Sequence, residues 1–516
     1  MRRYWVVAVA GLTLLGALAP PAFAQAPAPK VTISGLLDFA TTWSNNLQDT
    51  DSTRRETEWY SRERGRLDFI GELGKAKMVW GIELDFVNGN TTTGGTHAGV
   101  SAGFDLDTDV AGVVETKWLY LDFPFTGAGA LLPFIAVPTQ ARGGAQPFVG
   151  HDYKFGILAS GDFGGLTLTT TLAPGVKNTL TVAQLDECNF DTEANGRCPG
   201  TNRENWAILD SIEFSPQKGL TVKPTFSYAD FTGAHTGAGG FLGTINRGGF
   251  TIGALKQWRA TVGGDVRWTM GPWSLEPTFH YQFGEQDISA TREVDINAWI
   301  VDVIGGWRSG PLNLELRFMY TSGNDADECV QTTVTGCKGR SDINYYTPIN
   351  TGFAYFTGWS ELQTSGTEYN NCFPCGAQPL ALGRAVGYDK YGRIVLSARA
   401  TYAVTPAFSL LGMVIPSWTA EEVDTNGALS TTTGITPALK TGESRVNGDE
   451  SYLGTEINVG FTWRFAPGLT FDWRYNHLFA GEAFDQCQVS GGCASNRQVR
   501  GAKDIDSVIA RVRYTF

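Results

Sequence analysis

The stretch Trp273-Ser-Leu-Glu-Pro-Thr-Phe-His-Tyr-Gln-Phe283 puts Trp273, Leu275, Phe279, Tyr281 and Phe283 on one set of alternate positions and Ser274, Glu276, Thr278, His280 and Gln282 on the other. Successive side chains of an extended strand point to opposite faces, so one face of this segment suits hydrocarbon and the other suits water. The pattern recurs in both directions along the chain. In 76–87, Met78, Trp80, Ile82, Leu84 and Phe86 alternate with Lys77, Glu83 and Asp85; in 312–321, Leu314, Leu316, Phe318 and Tyr320 alternate with Asn313, Glu315 and Arg317. Runs at 257–269, 452–465, 469–476 and 504–516 read the same way.

The connections between these runs are of two kinds. Tight turns fall at 74–75, 216–219, 270–272, 309–311, 404–406 and 466–468, rich in Gly and Pro. Long polar connections fall at 44–59, 88–112, 174–203, 231–256, 323–389, 418–451 and 481–503. Two weaker hairpins, 113–123 with 131–140 and 153–160 with 165–173, complete the set. The sum is about 18 strands, with about 16 as the alternative, short turns on one rim and long loops on the other. Trp80, Trp268, Trp273, Trp307, Trp463 and Phe465 lie near the short turns, where an interfacial girdle belongs.

The ends and the composition agree with an exported membrane barrel. Residues 1–24 run from Met1-Arg2-Arg3 through an apolar stretch to Ala22-Phe23-Ala24, a secretory signal cut after Ala24. Residues 25–30 then form a short periplasmic segment and 31–516 the barrel. The later chain has no apolar window long enough for a membrane helix, and a lipid-embedded chain without helices must close into a barrel. With 63 Gly, 12% aromatic residues and 5 Met, the composition favours turns and strands.

Eight cysteines come in close pairs: Cys188 with Cys198, Cys329 with Cys337, Cys372 with Cys375, and Cys487 with Cys493. An even number in an exported chain points to disulfides, with the connectivity left open by sequence. All lie in the long loops, where closing small rings trims the entropy of segments with little core. The five His show no catalytic or metal-binding spacing, and Asn324-Asp-Ala-Asp-Glu328 lacks the spacing of a calcium loop. No cofactor, metal or enzymatic activity is expected. Asp and Glu outnumber Lys and Arg 52 to 40, which disfavours nucleic acid as a partner.

The two ends of the mature chain carry a family resemblance. Lys30-Val-Thr-Ile-Ser-Gly-Leu-Leu-Asp-Phe39 resembles the opening strand of Gram-negative porins, and Ile509-Ala-Arg-Val-Arg-Tyr-Thr-Phe516 their closing strand with its terminal aromatic. The resemblance implies a bacterial outer-membrane location and contact with lipid and lipopolysaccharide. It also implies recognition of Phe516 by the outer-membrane assembly machinery. Whether three barrels associate is left open.

Projecting the alternation inward lines the lumen with Asp38, Arg62, Arg64, Arg66, Asp68, Glu83, Asp85, Arg259, Asp265, Glu276, Arg317, Arg399, Asp472, Arg474, Arg511 and Arg513. Charges of both signs, slightly basic, favour polar solutes and give a mild preference for anions centred on Arg474 and Arg511. The expected function is a water-filled channel for passive diffusion of small hydrophilic solutes and ions. Two alternatives stay open: a substrate-specific uptake or export channel in which the aromatic-rich loop 323–389 folds inward, and a surface adhesin or structural barrel.

Overall fold

The structure, a computed structural model, describes residues 28–47, 57–88, 114–154, 156–187, 204–232, 256–289, 291–329, 338–339, 342–350, 359–362, 390–425, 428–430, 434–436, 448–487 and 499–516. The alternating runs form eighteen long strands. They are β1 (Lys30–Asn45), β2 (Thr57–Leu73), β3 (Ala76–Asn88), β4 (Val114–Thr126), β5 (Thr139–Pro147) and β6 (Asp162–Ala173). Next come β7 (Val176–Glu187), β8 (Glu204–Gln217), β9 (Leu220–Thr232), β10 (Lys256–Met270), β11 (Trp273–Ser289) and β12 (Arg292–Ser309). The last six are β13 (Leu312–Thr321), β14 (Arg393–Thr405), β15 (Phe408–Val423), β16 (Glu450–Ala466), β17 (Leu469–Ala480) and β18 (Ile505–Thr515).

Each strand pairs antiparallel with its neighbour in sequence, and β1 pairs with β18 from Leu36↔Thr515 to Asn45↔Asp506. Beyond that register, Gly35 and Phe516 exchange two backbone hydrogen bonds, 3.0 and 3.1 Å long. Closure leaves no strand edge, which hydrocarbon requires because it offers no partner to a bare N–H or C=O. The apolar positions face outward: Phe39, Trp80, Phe279, Leu316 and Trp463 are all exposed. Trp273 and Trp307 lie 6.3 Å apart near the short-turn rim, and Trp206, Tyr228 and Trp258 form a row toward the other. Together they mark the two interfaces of the hydrocarbon band.

The short turns use the expected chemistry. Gly468, between β16 and β17, has φ +73°, and a Cβ there would run into the Thr515 carbonyl. On the other rim β11 and β12 are joined by residues 290–291 alone, whereas the remaining connections are long.

Two segments differ from the sequence reading. Residues 131–138 belong to a connection on the short-turn rim, so the fifth strand starts at Thr139 and is only 9 residues long. The reading of 153–160 as a wall strand is not met: residues 148–154 and 156–161 turn into the barrel. In compensation, 174–203 is not one long loop. A tight turn at Pro174-Gly175 leads into β7, whose outward positions Asn178, Leu180, Val182 and Gln184 are too polar to announce a membrane strand. The strand count is kept because one false strand and one missed strand cancel.

The signal read at residues 1–24 lies outside the described residues. So do the expected disulfides: only Cys329 and Cys487 fall in described backbone, and the side chains of all eight cysteines are outside.

Candidate functional site

Inside the barrel the two sides of the wall differ. On β7, β8, β9 and β12 the inward positions include Ala183, Ala207, Leu209, Ala229, Phe231, Ile296, Ala298 and Ile300, all buried. An apolar inner wall facing water is unfavourable, by roughly 25 cal/mol for each Å² left wet, so something must cover it. Two loop segments do.

The first consists of residues 148–154 and 156–161, between β5 and β6, laid along the inner faces of β7 to β12. His151 Nε2 lies 2.8 Å from Thr181 Oγ1, and Lys223 Nζ donates to the Gly150 carbonyl at 3.0 Å. The Tyr153 hydroxyl donates to Glu213 at 3.0 Å, and its ring lies 4.1 Å from Lys223 Nζ and 4.0 Å from Arg267 Cζ, cations on aromatic faces. Lys154 reaches Asp302 on β12. Ile157 and Leu158 are fully buried against the apolar wall.

This loop holds two groups with displaced ionisation. Burial pushes the Asp152 carboxyl up to about 7, with Asp265 adding to the effect and the Leu158 N–H opposing it. Burial, aided by Lys223, lowers His151 to about 4, so the ring is neutral at ordinary pH.

The second segment comes from the long connection between β13 and β14. Asp342–Ile343 pairs in parallel with Asp295 and Ile296 of β12, and Ile349–Asn350 pairs with Ala159–Ser160 of the first segment. The Tyr346 hydroxyl donates to the Ile157 carbonyl at 2.9 Å, Gln282 to the Thr347 carbonyl at 2.9 Å, and Arg259 to the Pro348 carbonyl at 3.0 Å. Farther along, the Trp359 ring lies 4.0 Å from Arg399 Cζ and 5.5 Å from Arg317 Cζ. Buried Glu456 accepts from the Glu361 and Leu362 N–H groups at 2.8 and 3.2 Å and from the Ser360 hydroxyl.

The opposite half, β16 to β18 and β1 to β5, is lined by charge. Asp38 accepts from Arg513 at 2.6 Å and lies 3.7 Å from Arg511, which also binds Asp472 at 2.8 Å. Glu83 sits among Arg64 at 3.8 Å, Lys117 at 3.3 Å and the Arg66 guanidinium, which donates to it directly. Lys117 also reaches Asp162 at 3.1 Å. Arg142 forks onto Asp122 at 2.6 and 2.9 Å, its guanidinium 4.1 Å from the Tyr120 ring. Exposure sorts these cations: the side chains of Arg474 and Arg511 are 9% and 5% exposed, against 22% for Arg64, 30% for Arg66, 24% for Lys117 and 22% for Arg513. Arg474 Nη1 donates to both the Phe461 and Trp473 carbonyls, and its Nη2 to the Thr462 hydroxyl.

The residues read from sequence therefore fall into two groups. Asp38, Arg64, Arg66, Asp68, Glu83, Asp472, Arg474, Arg511 and Arg513 share the charged half, whereas Arg259, Asp265 and Glu276 lie on the wall beneath the inward segments, with Arg317 and Arg399 under Trp359. The side chains of Arg62 and Asp85 are outside the described residues. Sequence reasoning passed over Lys117, Asp122, Arg142, Lys154 and Asp302. A register shift between Gly81 and Ile82 in the β3–β4 pairing brings Lys117 beside Glu83, and inward Trp118 and Tyr120 blur the alternation there. One signal was available for the covered half: Ala298-Trp-Ile-Val301 is apolar at consecutive positions, as a strand must be when its outer face meets lipid and its inner face is covered by protein. Among the described residues no group of three His, Cys, Asp or Glu is placed to hold a metal.

A closed antiparallel barrel with an apolar exterior, two aromatic rows and a charged interior is an outer-membrane channel. Residues 11–336 match the family described as Gram-negative porin, and the chain belongs to that family. It is an outer-membrane protein through which solutes diffuse. Among solved structures it is similar to Pseudomonas aeruginosa OccK5 (OpdH), at 10% identity over 94% of this chain and 98% of that one, with a TM-score of 0.44. It is similar also to Pseudomonas aeruginosa OccK8 (OprE), at 12% identity over 94% and 98% with a TM-score of 0.46. A BenF-like porin from Pseudomonas fluorescens Pf-5 is similar at 11% identity over 94% and 99%, with a TM-score of 0.48. These likenesses are loose, and the architecture stands on the strand pairing itself. No curated protein matches the sequence.

Proposed function

We propose that small hydrophilic solutes pass along the charged half of the lumen and that small anions pass somewhat more readily than cations. The observation that supports this is the exposure of Arg64, Arg66, Lys117 and Arg513 around two carboxylates, Asp38 and Glu83, which are themselves buried. Cations that keep contact with water lower the barrier for an anion, and the shared carboxylates limit the effect to a mild preference. Conduction is passive, without a catalytic step. Arg474 and Arg511, the pair first read as selective, act in this proposal as structural ion pairs.

A substrate-specific channel is the second reading, supported by the inward folding of 342–350 and 359–362, which narrows the lumen from the side of β12 to β16. The adhesin reading has no comparable support. Export by a signal at residues 1–24, recognition of Phe516 during assembly and contact with lipopolysaccharide complete the proposal. Planar-bilayer recording in a salt gradient tests it: Arg66→Gln with Lys117→Gln should move the reversal potential toward cations, most at low ionic strength. An unchanged potential overturns the assignment of selectivity to this cluster. Block of the current by one solute of a panel would select the substrate-specific reading.

A further inference from the structure

Lys154 of the first inward segment is buried. Its ammonium donates to the Asp302 carboxylate at 2.6 Å and to the backbone carbonyls of Glu276 and Asp302, each at 2.7 Å, so all three of its donors are used. The other Asp302 oxygen accepts from Arg317 Nε at 2.8 Å. The side chain of Asp302 is fully enclosed, and those of Lys154 and Arg317 nearly so. Arg317 in turn lies beneath Trp359 of the second segment, whose ring also packs on Arg399, and Arg399 is held by Glu315 at 2.7 Å. One carboxylate on β12 therefore touches the first segment directly and the second through Arg317.

We propose, resting on the reading of this barrel as a conducting channel, that Asp302 is the positioning residue that keeps the passage open by holding both segments against the wall. The first segment is tethered at its ends to β5 and β6 and reaches across the inner wall to β12. Removing one member of a buried ion pair leaves the other charge without compensation in a dry site, and that charge then seeks water. Arg267 and Glu276, beside this segment, are 47% and 33% exposed, so water reaches close to Lys154. Lys154, freed of Asp302, carries its segment into the space that solutes use.

Single-channel recording of the full-length protein tests this, with folding checked by the migration of unheated samples in detergent gels. The native channel should give a quiet open level. Asp302→Asn should give frequent closures and a several-fold lower mean current. Lys154→Met with Asp302→Asn should restore the quiet level in part, because the charge that drives the first segment into the passage is gone while the aliphatic stem still packs, and the closures that remain come from Arg317 and the second segment. Trp359→Ala, which leaves the buried pair intact, should produce closures of its own through the second segment. A folded Asp302→Asn channel as quiet as the native one, or a double variant as noisy as Asp302→Asn alone, overturns the proposal. Should Asp302→Asn not fold, Arg317→Gln decides, because it cuts the link from Asp302 to Trp359: a quiet trace overturns the proposal, closures support it. A native protein that carries no current at all removes the channel reading itself, a separate result.

Discussion

The two halves of the lumen use their polar groups in opposite ways. Under the inward segments, Asp302, Lys154 and Arg317 are sealed from water and satisfied within the protein; across the pore, Arg64, Arg66, Lys117 and Arg513 share carboxylates yet stay wet. Fully satisfied buried networks fix geometry, whereas exposed pairs contribute little to stability and leave their field available to a passing ion. One half of the interior is therefore built as a small protein core and the other as a channel wall. The same residue types serve both, and burial decides which.

The largest expected effect sharpens this comparison from outside. Leu316→Arg and Phe279→Arg place a cation in the hydrocarbon band and should each cost about 2 to 4 kcal/mol, most near mid-membrane. Reversible urea unfolding of the refolded barrel measures it, and no loss at either position would mean that the outward face has been misassigned. Next come paired substitutions inside. Thr278 is inward but buried, with its hydroxyl on Asp265, so Thr278→Arg overpacks the covered half and should cost about 1 to 3 kcal/mol. Ser34, opposite Asp68 on β2 in the other half, is only half-buried, so Ser34→Arg should leave stability within about 0.5 kcal/mol. Equal costs at Thr278 and Ser34 would erase the distinction between the halves.

A smaller effect separates the cations of the charged half. Arg511→Gln strips Asp38 and Asp472 of a shared partner and should lower stability more than it alters selectivity, while Lys117→Gln should do the reverse. Reversal potentials and unfolding midpoints of both variants, compared side by side, check the crossing. The smallest effect concerns pH. The Asp152 carboxyl is raised to about 7 from an ordinary value near 3.9, so the stability it lends the docked loop is full below about 4 and is lost as pH rises through about 7. Closures should thus be more frequent at pH 8 than at pH 5, both above the His151 transition, and Asp152→Asn should remove the difference.

Strand number and closure were legible because Trp273 to Phe283 and its counterparts repeat a period of two that only a barrel can use along its whole length. The charged half was legible for the same reason, since Arg64, Arg66, Asp38 and Arg513 alternate with lipid-facing neighbours. The covered half was not. A strand whose inner face is apolar, such as β12, loses its alternation, and a segment that supplies the cover, such as Tyr153 to Ser160, has no period of its own. Lys154 and Asp302 lie 148 positions apart, and nothing local to either marks the other as its partner.

The seam where β1 meets β18 has a consequence for how the molecule is made. Its pairs join positions 475 residues apart, including Asp38 with Arg513, and the terminal Phe516 bonds back to Gly35. Until the last strand arrives, β1 and β17 each present an unpaired edge that cannot rest in hydrocarbon. The chain thus cannot settle by degrees: a product lacking its final eleven-residue strand keeps two open edges instead of a slightly weaker wall. Closure thus ties the first strand of the wall to the last, the Asp38 carboxylate being held by Arg511 and Arg513 across the seam.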